Sequence, residues 1–283
     1  MSREVRQQLA EVKTPRLSLL ARHLAEGVGS GLHRANRRGS GIEFAGHREY
    51  SPGDDLRHLD RHALLRHGRH LIREFHTETE RALHVVIDAT ASMEYAGTTT
   101  GSSKKRLALL LGAALLVTSR RLGDPMGLSL VTDRSDFMPP RSTSEHLQRL
   151  LDAIDRVDAE KSTSHESALK KALSEVGARA PRGTSVVVFT DALDDDPQLA
   201  SDIAALKTER RGLTVAQILD PTEIDFPFDG PLRLSSPESD LVLDTDAARA
   251  RQGYLDALER VTSRLRDRVT ERGGRFLRIS TAA

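Results

Sequence analysis

Side chains that carry oxygen stand in three short stretches of the sequence, in positions where they could bind a metal ion. They are Asp88, Thr90 and Ser92 in the first stretch, Ser162, Thr163 and Ser164 in the second, and Asp191 in the third. The spacing of two residues in the first stretch lets one tight loop direct three oxygens toward a single point. Carboxylate and hydroxyl oxygens, without nitrogen or sulfur, suit a hard divalent cation such as Mg²⁺ or Mn²⁺. Because hydroxyl ligands are neutral, such an ion would attract a carboxylate from a partner to any open position.

The segments around these stretches predict an α/β fold. From residue 82 onward, short runs rich in β-branched residues alternate with helical patterns. The predicted strands are 82–88, 127–132, 184–190, 213–219 and 275–279, and the predicted helices are about 103–121, 144–156, 164–178, 197–210 and 247–272. This alternation predicts a doubly wound, mostly parallel sheet of Rossmann type, with helices on both faces. Since ligands bind at the carboxyl ends of parallel strands, we expect the three stretches to share one edge of the sheet.

Two local patterns add detail to this sheet. The segment VTDRSDFMPP, with a turn at Asp133–Ser135, predicts an antiparallel hairpin at one edge. The helix that begins near residue 103 carries the longest apolar run, Leu107–Val117, and is therefore expected to be the most buried helix.

The same oxygen-bearing residues also have an ordinary structural explanation. Ser, Thr and Asp between a strand and a helix commonly form turns and cap helices. For any one of the three stretches, capping is the simpler interpretation. Three such stretches in the correct order on one sheet edge favour metal binding.

Composition sets the class of protein and its organisation. The chain has 283 residues, with 42 Lys+Arg against 41 Asp+Glu. It has no cysteine, and this excludes disulfide scaffolds and Cys-ligated metal sites. The longest apolar run is shorter than the roughly 20 residues that cross a bilayer, and the N-terminus has no apolar signal region. We therefore expect a cytoplasmic protein with no membrane partner. The turn-rich stretch 1–81, with a helix predicted over 15–26, is interpreted as an N-terminal extension, and 82–283 as the α/β domain.

The residues of the predicted site resemble the metal-ion-dependent adhesion site (MIDAS) of von Willebrand factor A domains. The family pattern is Asp-x-Ser-x-Ser with a later Thr and Asp, and Thr90 replaces one serine conservatively. The resemblance implies that Asp88, Thr90 and Ser92 form the first metal loop, Thr163 the second and Asp191 the third. It implies Mg²⁺, or alternatively Mn²⁺ or Ca²⁺, as the ion, and an Asp or Glu of a protein ligand as its partner.

Upstream motifs narrow the resemblance to the bacterial domain-of-unknown-function 58 family, over about residues 16–280. They are Gly41-Ile42-Glu43-Phe44, Arg48-Glu49-Tyr50, Pro52-Gly53-Asp54-Asp55, Arg57, Asp60, Arg66 and Arg73, with Asp220-Pro221-Thr222-Glu223 downstream. Arg61 departs from the family, which usually has tryptophan at that position. Members are generally encoded beside MoxR-type AAA+ ATPases. The resemblance therefore implies an adaptor or chaperone-like protein-interaction module that acts with such an ATPase.

Parts of the sequence also resemble features of other function classes. Segment 57–73 holds five arginines, four histidines and one acid, but it lacks interleaved aromatic residues, so we interpret it as a solvated face and expect no nucleic-acid partner. The best enzymatic alternative is a divalent-metal hydrolase, such as a phosphoesterase, that uses Asp88, Asp191 and Asp194. Asp196-Pro197 in that cluster is more simply the start of a helix. The stretch from Gly97 to Lys104 resembles a phosphate loop in composition but has the wrong spacing, and it is interpreted as a flexible connection.

Overall fold

The computed structural model of the chain describes residues 17–29, 43–50, 59–60, 63, 68, 70–76, 82–97, 102–160, 167–235 and 242–282. The chain forms two compact units: Met1–Ser30 with Arg81–Ala283, and Gly31–Glu80. The helices are α1 (Leu17–Gly29), α2 (Lys104–Arg121), α3 (Ser144–Ala159), α4 (Ser167–Arg179), α5 (Pro197–Ala205), α6 (Pro221–Asp225) and α7 (Ala247–Glu271). The strands are β1 (Glu43–Glu49), β2 (Leu71–His76), β3 (Leu83–Asp88), β4 (Met126–Val131), β5 (Ser135–Arg141), β6 (Ser185–Thr190), β7 (Gly212–Leu219), β8 (Pro231–Ser235), β9 (Val242–Asp246) and β10 (Arg275–Ser280).

A six-stranded sheet organises the larger unit, in the order β10-β7-β6-β3-β4-β5. Every pairing is parallel except that of β5 with β4, which forms the antiparallel edge. This confirms the predicted doubly wound α/β fold and its edge hairpin. From β3 the chain first builds outward through β4 and β5, and then crosses to β6 on the other side of β3. The carboxyl ends of β3 and β6 therefore meet at the topological switch point, where ligands bind in folds of this kind.

Two apolar cores lie on opposite faces of this sheet. Alternate residues of β3 serve different cores, because side chains along a strand point to opposite faces. Val85 and Ile87 pack in the core that contains α1, α2 and α3, whereas Val86 packs with α4, α5 and α7.

Helix α2 lies unusually close to the sheet. Gly112 faces β3, and a Cβ atom at that position would lie 2.5 Å from Cδ1 of Ile87. Ser103 caps the helix by accepting a hydrogen bond from the backbone N–H of Arg106, at 3.2 Å. The sheet and the cap together fix the first turn of α2, which reaches the carboxyl edge of the sheet.

Helix α1 belongs to the larger unit and not to a separate N-terminal extension. Its residues Leu17, Ala21 and Ala25 are buried in the core that contains α2 and α3. The hydroxyl of Ser18 donates a 2.8 Å hydrogen bond to Asp155 on α3. The division between the two units lies near the predicted boundary at residue 81, and helix α1 packs in the core of the larger unit.

The smaller unit contains an antiparallel pair of strands, β1 and β2. Its register runs from Glu43 opposite His76 to Glu49 opposite Leu71, with an irregularity between Phe44 and Gly46. Most of the Arg/His segment 57–73, including Arg61, lies outside the described residues. Its predicted solvated face therefore stays a prediction.

Some element bounds differ from the sequence prediction. Helix α5 ends at Ala205 instead of continuing to 210, because residues 208 and 211 bridge in a turn that leads into β7. Two elements that the sequence did not predict follow β7: the short helix α6, and the antiparallel hairpin of β8 and β9. Among the described residues, none of the helices has the length and apolar character needed to span a bilayer.

Candidate metal centre and adjoining cleft

Asp88 lies at the carboxyl end of β3 and is 2% exposed. Its Oδ1 accepts hydrogen bonds from the backbone N–H and the hydroxyl of Thr90, at 3.1 and 2.6 Å. Its Oδ2 accepts a 2.7 Å hydrogen bond from the hydroxyl of Thr190, the last residue of β6. Burial, and next the neighbouring carboxylate of Asp191, raise the pKa of Asp88 to about 6, even though these hydrogen bonds oppose the rise. A negative charge at Asp88 is therefore only partly compensated by the protein.

Asp191 follows β6 directly and pairs with a lysine. The Nζ atom of Lys104, on the first turn of α2, lies 2.8 Å from Oδ2 of Asp191 and 2.6 Å from Oε1 of Glu223. Burial alone would lower the pKa of Lys104, but the two carboxylates outweigh that effect and raise its pKa above the ordinary value. Lys104 is therefore a charged ammonium with only 1% exposure, shared between two acids.

The loop after β7 completes the edge of the site. Asp220 and Glu223 form a capping box at the start of α6, in which Oε2 of Glu223 accepts the backbone N–H of Asp220 at 2.8 Å. Asp220 also accepts the backbone N–H of Gly97 at 3.2 Å, and the hydroxyls of Tyr95 and Thr222 lie 2.9 Å apart. These contacts join the loop after β3 to the loop after β7. Gly97 and Lys104, the two ends of the predicted flexible connection, are thus held by hydrogen bonds, whereas residues 98–101 lie outside the described residues and their flexibility stays a prediction.

The structure brings most of the predicted site residues together. Asp88, Thr90, Ser92 and Asp191 line one cleft at the switch point, and the hydroxyls of Thr90 and Ser92 lie 3.3 Å apart. Thr163, with Ser162 and Ser164, lies outside the described residues. Its place in the site therefore stays a prediction from the sequence.

The donor atoms in this part of the cleft are of the chemical type that a hard divalent cation prefers. Within the described ranges, no three side chains drawn from His, Asp and Glu gather in the way that a carboxylate- or histidine-rich metal site requires. The donors are instead two carboxylates and two hydroxyls, and the raised pKa of Asp88 marks negative charge that a cation would stabilise. Lys104 contacts Oδ2 of Asp191, so the other carboxylate oxygen can serve a further ligand. Asp88, Thr90, Ser92 and Asp191 would hold such an ion.

The cleft extends beyond these donors and encloses about 400 Å³. Its polar end also includes Asp194, whose Oδ2 is buried without a hydrogen-bond partner in the described structure. The cleft is also lined by the apolar residues Leu169, Leu193 and Leu199, and by a cluster of Phe226, Phe228, Leu234 and Tyr254 that we call its apolar end. A volume of this size lies within the range of ordinary ligand pockets.

Comparison with known proteins places the chain in a family. The family model described as "Protein of unknown function DUF58" matches residues 46–264. The chain belongs to this family. Uncharacterized proteins of Mycobacterium tuberculosis and Mycobacterium bovis are each 24% identical to this chain over 227 residues, which cover 80% of this chain and 70% of the relative.

Solved structures with similar folds are distant from this DUF58 chain. A conserved hypothetical protein, BatB from Bacteroides thetaiotaomicron, is 14% identical with a TM-score of 0.42, over 71% of this chain and 90% of that one. The SpRpn10 VWA domain is 9% identical with a TM-score of 0.38, over 71% and 88%. An aerotolerance-related membrane protein from Bacteroides fragilis is 13% identical with a TM-score of 0.38, over 70% and 91%. The fold assignment rests on the sheet order of this chain itself.

Sequence reasoning missed Lys104 as part of the site. A signal was present, because two lysines, Lys104 and Lys105, open a helix whose first turn has no acid. The N-terminus of a helix disfavours cations, so lysines there need carboxylate partners from elsewhere. Lys105 follows the same rule: it is 3% exposed and pairs with Glu94 at 2.5 Å.

Proposed function

We propose that this protein is a metal-dependent protein-interaction module that works as an adaptor or chaperone-like partner of a MoxR-type AAA+ ATPase. Family membership and the von Willebrand A-like fold support a protein-interaction module in general. The observation that carries the metal dependence is the pair of buried carboxylates, Asp88 and Asp191, at the switch point of the sheet. Lys104 is shared between Asp191 and Glu223, and Asp88 lies close enough to Asp191 for the two carboxylates to repel, so three acids and one ammonium line this part of the cleft. A divalent cation, Mg²⁺ or alternatively Mn²⁺ or Ca²⁺, would balance them.

The proposed mode of binding follows from the donor set. A bound cation supplies an open ligand position that favours a carboxylate oxygen. The hydroxyls of Thr90 and Ser92 add no negative charge, and Lys104 offsets part of the charge of Asp191 and Glu223. An Asp or Glu of the partner would then reach the site without strong repulsion. Family resemblance supports an ATPase as that partner. Because such an ATPase needs ATP, its partnership with this protein favours a cytoplasmic location.

A metal-dependent hydrolase that uses Asp88, Asp191 and Asp194 is the alternative function. Asp194 lines the same cleft, but its Oδ1 accepts the backbone N–H of Asp196 at 2.9 Å, which is the ordinary bond of a turn before helix α5. Assays of the purified protein with Mg²⁺ or Mn²⁺ and generic phosphoester substrates separate the two functions. We expect no turnover above background. Turnover that disappears in Asp88→Ala would make the hydrolase the better account.

Co-purification from the native host tests the proposed partnership. The ATPase should be recovered with the wild-type chain in Mg²⁺, and should be lost with EDTA and with Asp88→Ala. Thr163→Val tests the second metal loop that the family resemblance assigns, and Asp267→Ala, on the exposed face of α7, is the matched control. Equal recovery of the ATPase with EDTA and with both site variants would place the interface elsewhere, with segment 57–73 as the next candidate.

A further inference from the structure

The apolar end of the cleft adjoins the proposed metal site directly. Phe226 anchors it: its side chain is buried, and its ring centroid lies 5.1 Å from that of Phe228 and 4.8 Å from that of Tyr254. Phe228, Tyr254 and Leu234 are only partly buried, so their apolar surface faces the cleft while solvent can still enter it. Apolar surface of this kind favours a ligand that removes it from water.

Backbone strain is concentrated at the same cleft. Among the described residues, Ala192 and Phe226 are the non-glycine residues with positive φ, at 43° and 45°. Both line the cleft: Ala192 follows the metal-site residue Asp191, and Phe226 opens the aromatic wall. A non-glycine residue in this region costs free energy, and such residues cluster at binding sites where the surrounding structure holds them in place.

We propose that the cleft binds two adjacent side chains of its partner. An acidic side chain binds at the metal, and a large apolar side chain packs against the wall of Phe226, Phe228, Leu234 and Tyr254. This inference rests on the proposed function, which supplies the acidic half. The occupant is therefore a protein segment in which Asp or Glu neighbours a Phe, Leu or Met. The wall gives the site selectivity for sequence, since a surface carboxylate alone is present on every soluble protein.

Coordination to the ion favours an acid over a base at the polar end. The carboxylates of Asp88, Asp191, Asp194 and Glu223 lie there with the ammonium of Lys104, so an acid would bind through the open position of the ion and not through an excess of positive charge. A cationic head group would meet both positive centres at short range. Without the ion, the same carboxylates would instead favour a cation with an apolar body, and this is the competing outcome.

Small probes separate the two halves of the proposed site. We would titrate the full chain in saturating Mg²⁺ with acetate, 4-phenylbutyrate and 4-phenylbutylamine, and follow amide chemical shifts by nuclear magnetic resonance. Burial of a phenyl group predicts that 4-phenylbutyrate binds about tenfold more tightly than acetate. EDTA should abolish the binding of both acids.

Variants of the wall provide the decisive comparison. Phe228→Ala and Leu234→Ala should each bring the affinity for 4-phenylbutyrate close to that for acetate, while Mg²⁺ binding is retained. Leu122→Ala, at an exposed apolar residue at the other end of α2, should change nothing. Equal affinities for the two acids in the wild-type chain, or tighter binding of the amine, would overturn the inference. Absence of Mg²⁺ binding in the probe-free titration would instead overturn the metal dependence of the proposed function.

Discussion

At the scale of single residues, Lys104 is a buried positive charge whose stability depends on its two carboxylate partners. Its ammonium is almost wholly buried and makes two short ion pairs, with Asp191 from the loop after β6 and Glu223 from the loop after β7. Removing one partner of a buried pair leaves charges that neither water nor protein compensates. Lys104 therefore positions two loops of the site in addition to adjusting its charge.

Lys104→Met should lower the free energy of unfolding by about 3–5 kcal/mol, because it leaves Asp191 and Glu223 buried without their cation. Mg²⁺ should raise the melting temperature of this variant more than that of the wild type, since the ion replaces part of the missing charge. Urea unfolding and thermal melts with and without Mg²⁺ measure both effects. Lys207→Met is the matched control, because the hydrogen bond that the structure describes for Lys207 goes to the exposed carbonyl of Thr208. Equal stability of the two variants would contradict the role given to Lys104.

The sequence predicted the acidic residues of the candidate site better than their partners. Asp88 ends one apolar strand and Asp191 directly follows another, so local pattern alone placed them at the sheet edge. Thr190 and Lys104 contact them across 102 and 87 residues of sequence, and such pairings depend on which strands are neighbours. Local pattern does not contain strand order. The identity of the ion and the role of Thr163 stay predictions.

At the scale of secondary-structure elements, close packing between loops holds the edge of the site together. The backbone of Gly97 approaches Asp220 so closely that a Cβ at residue 97 would lie 2.1 Å from Oδ1 of that carboxylate. Asp220 is fully buried and also caps α6, so it cannot move away without loss of its hydrogen bonds. Only glycine fits here without displacement of the loop.

Gly97→Ala should therefore destabilise the protein by about 1–3 kcal/mol through overpacking. Gly253→Ala is the control and should instead raise the free energy of unfolding. Residue 253 lies within α7 with open space around its Cβ position. Alanine stabilises a helix relative to glycine by about 0.5–1 kcal/mol. Chemical denaturation of both variants checks the pair. Similar effects of the two substitutions would show that the packing of Gly97 against Asp220 does not limit stability.

Long, periodic elements of the fold were predicted from the sequence, whereas short ones were not. The buried strands β3, β4, β6 and β7 are apolar runs between helical patterns, and their bounds match the structure to within a residue or two. Helix α6 has five residues, too few to show a helical period. Strands β8 and β9 have five residues each and are largely exposed, so the alternation Leu232-Arg233-Leu234 in β8 is too short to mark a strand. Both missed elements lie beside the cleft and shape its apolar wall.

At the scale of the whole molecule, a buried histidine links the stability of the fold to pH. His84 lies within β3 and is fully buried; its Nε2 lies 2.8 Å from the hydroxyl of Ser129, and its Nδ1 has no hydrogen-bond partner among the described residues. Burial, and next the charge of Arg211, lower the pKa of His84 to about 3. The folded state thus keeps His84 neutral, whereas the unfolded chain binds a proton below about pH 6.5.

The contribution of His84 to stability should be fully present above pH 6.5 and decline as the pH falls toward 3. At pH 5 it should be about 2 kcal/mol smaller than at pH 7.5. The raised pKa of Asp88 acts in the opposite direction, because protonation of Asp88 stabilises the fold below about pH 6. The double variant His84→Leu with Ser129→Ala separates the two effects, since it retains Asp88. Urea unfolding at both pH values should show a smaller loss on acidification in the double variant, and identical pH profiles would contradict the assignment to His84.

The central claim is that the carboxylates at the switch point of the sheet bind a divalent cation. Calorimetric titration with Mg²⁺ of the wild-type chain, Asp88→Ala, Asp191→Ala and the control Asp267→Ala tests this claim most directly. Asp88 and Asp191 lie where strands end and loops begin, so both site variants should still fold, although Asp191→Ala removes one partner of the buried Lys104 and should be less stable; circular dichroism and thermal melts would check both points. We predict one binding site in the wild-type and control proteins, and binding weakened at least about tenfold in both site variants. Equal heats in all four proteins, or no heat in any, would contradict the claim and leave these residues as turns and caps of the sheet edge.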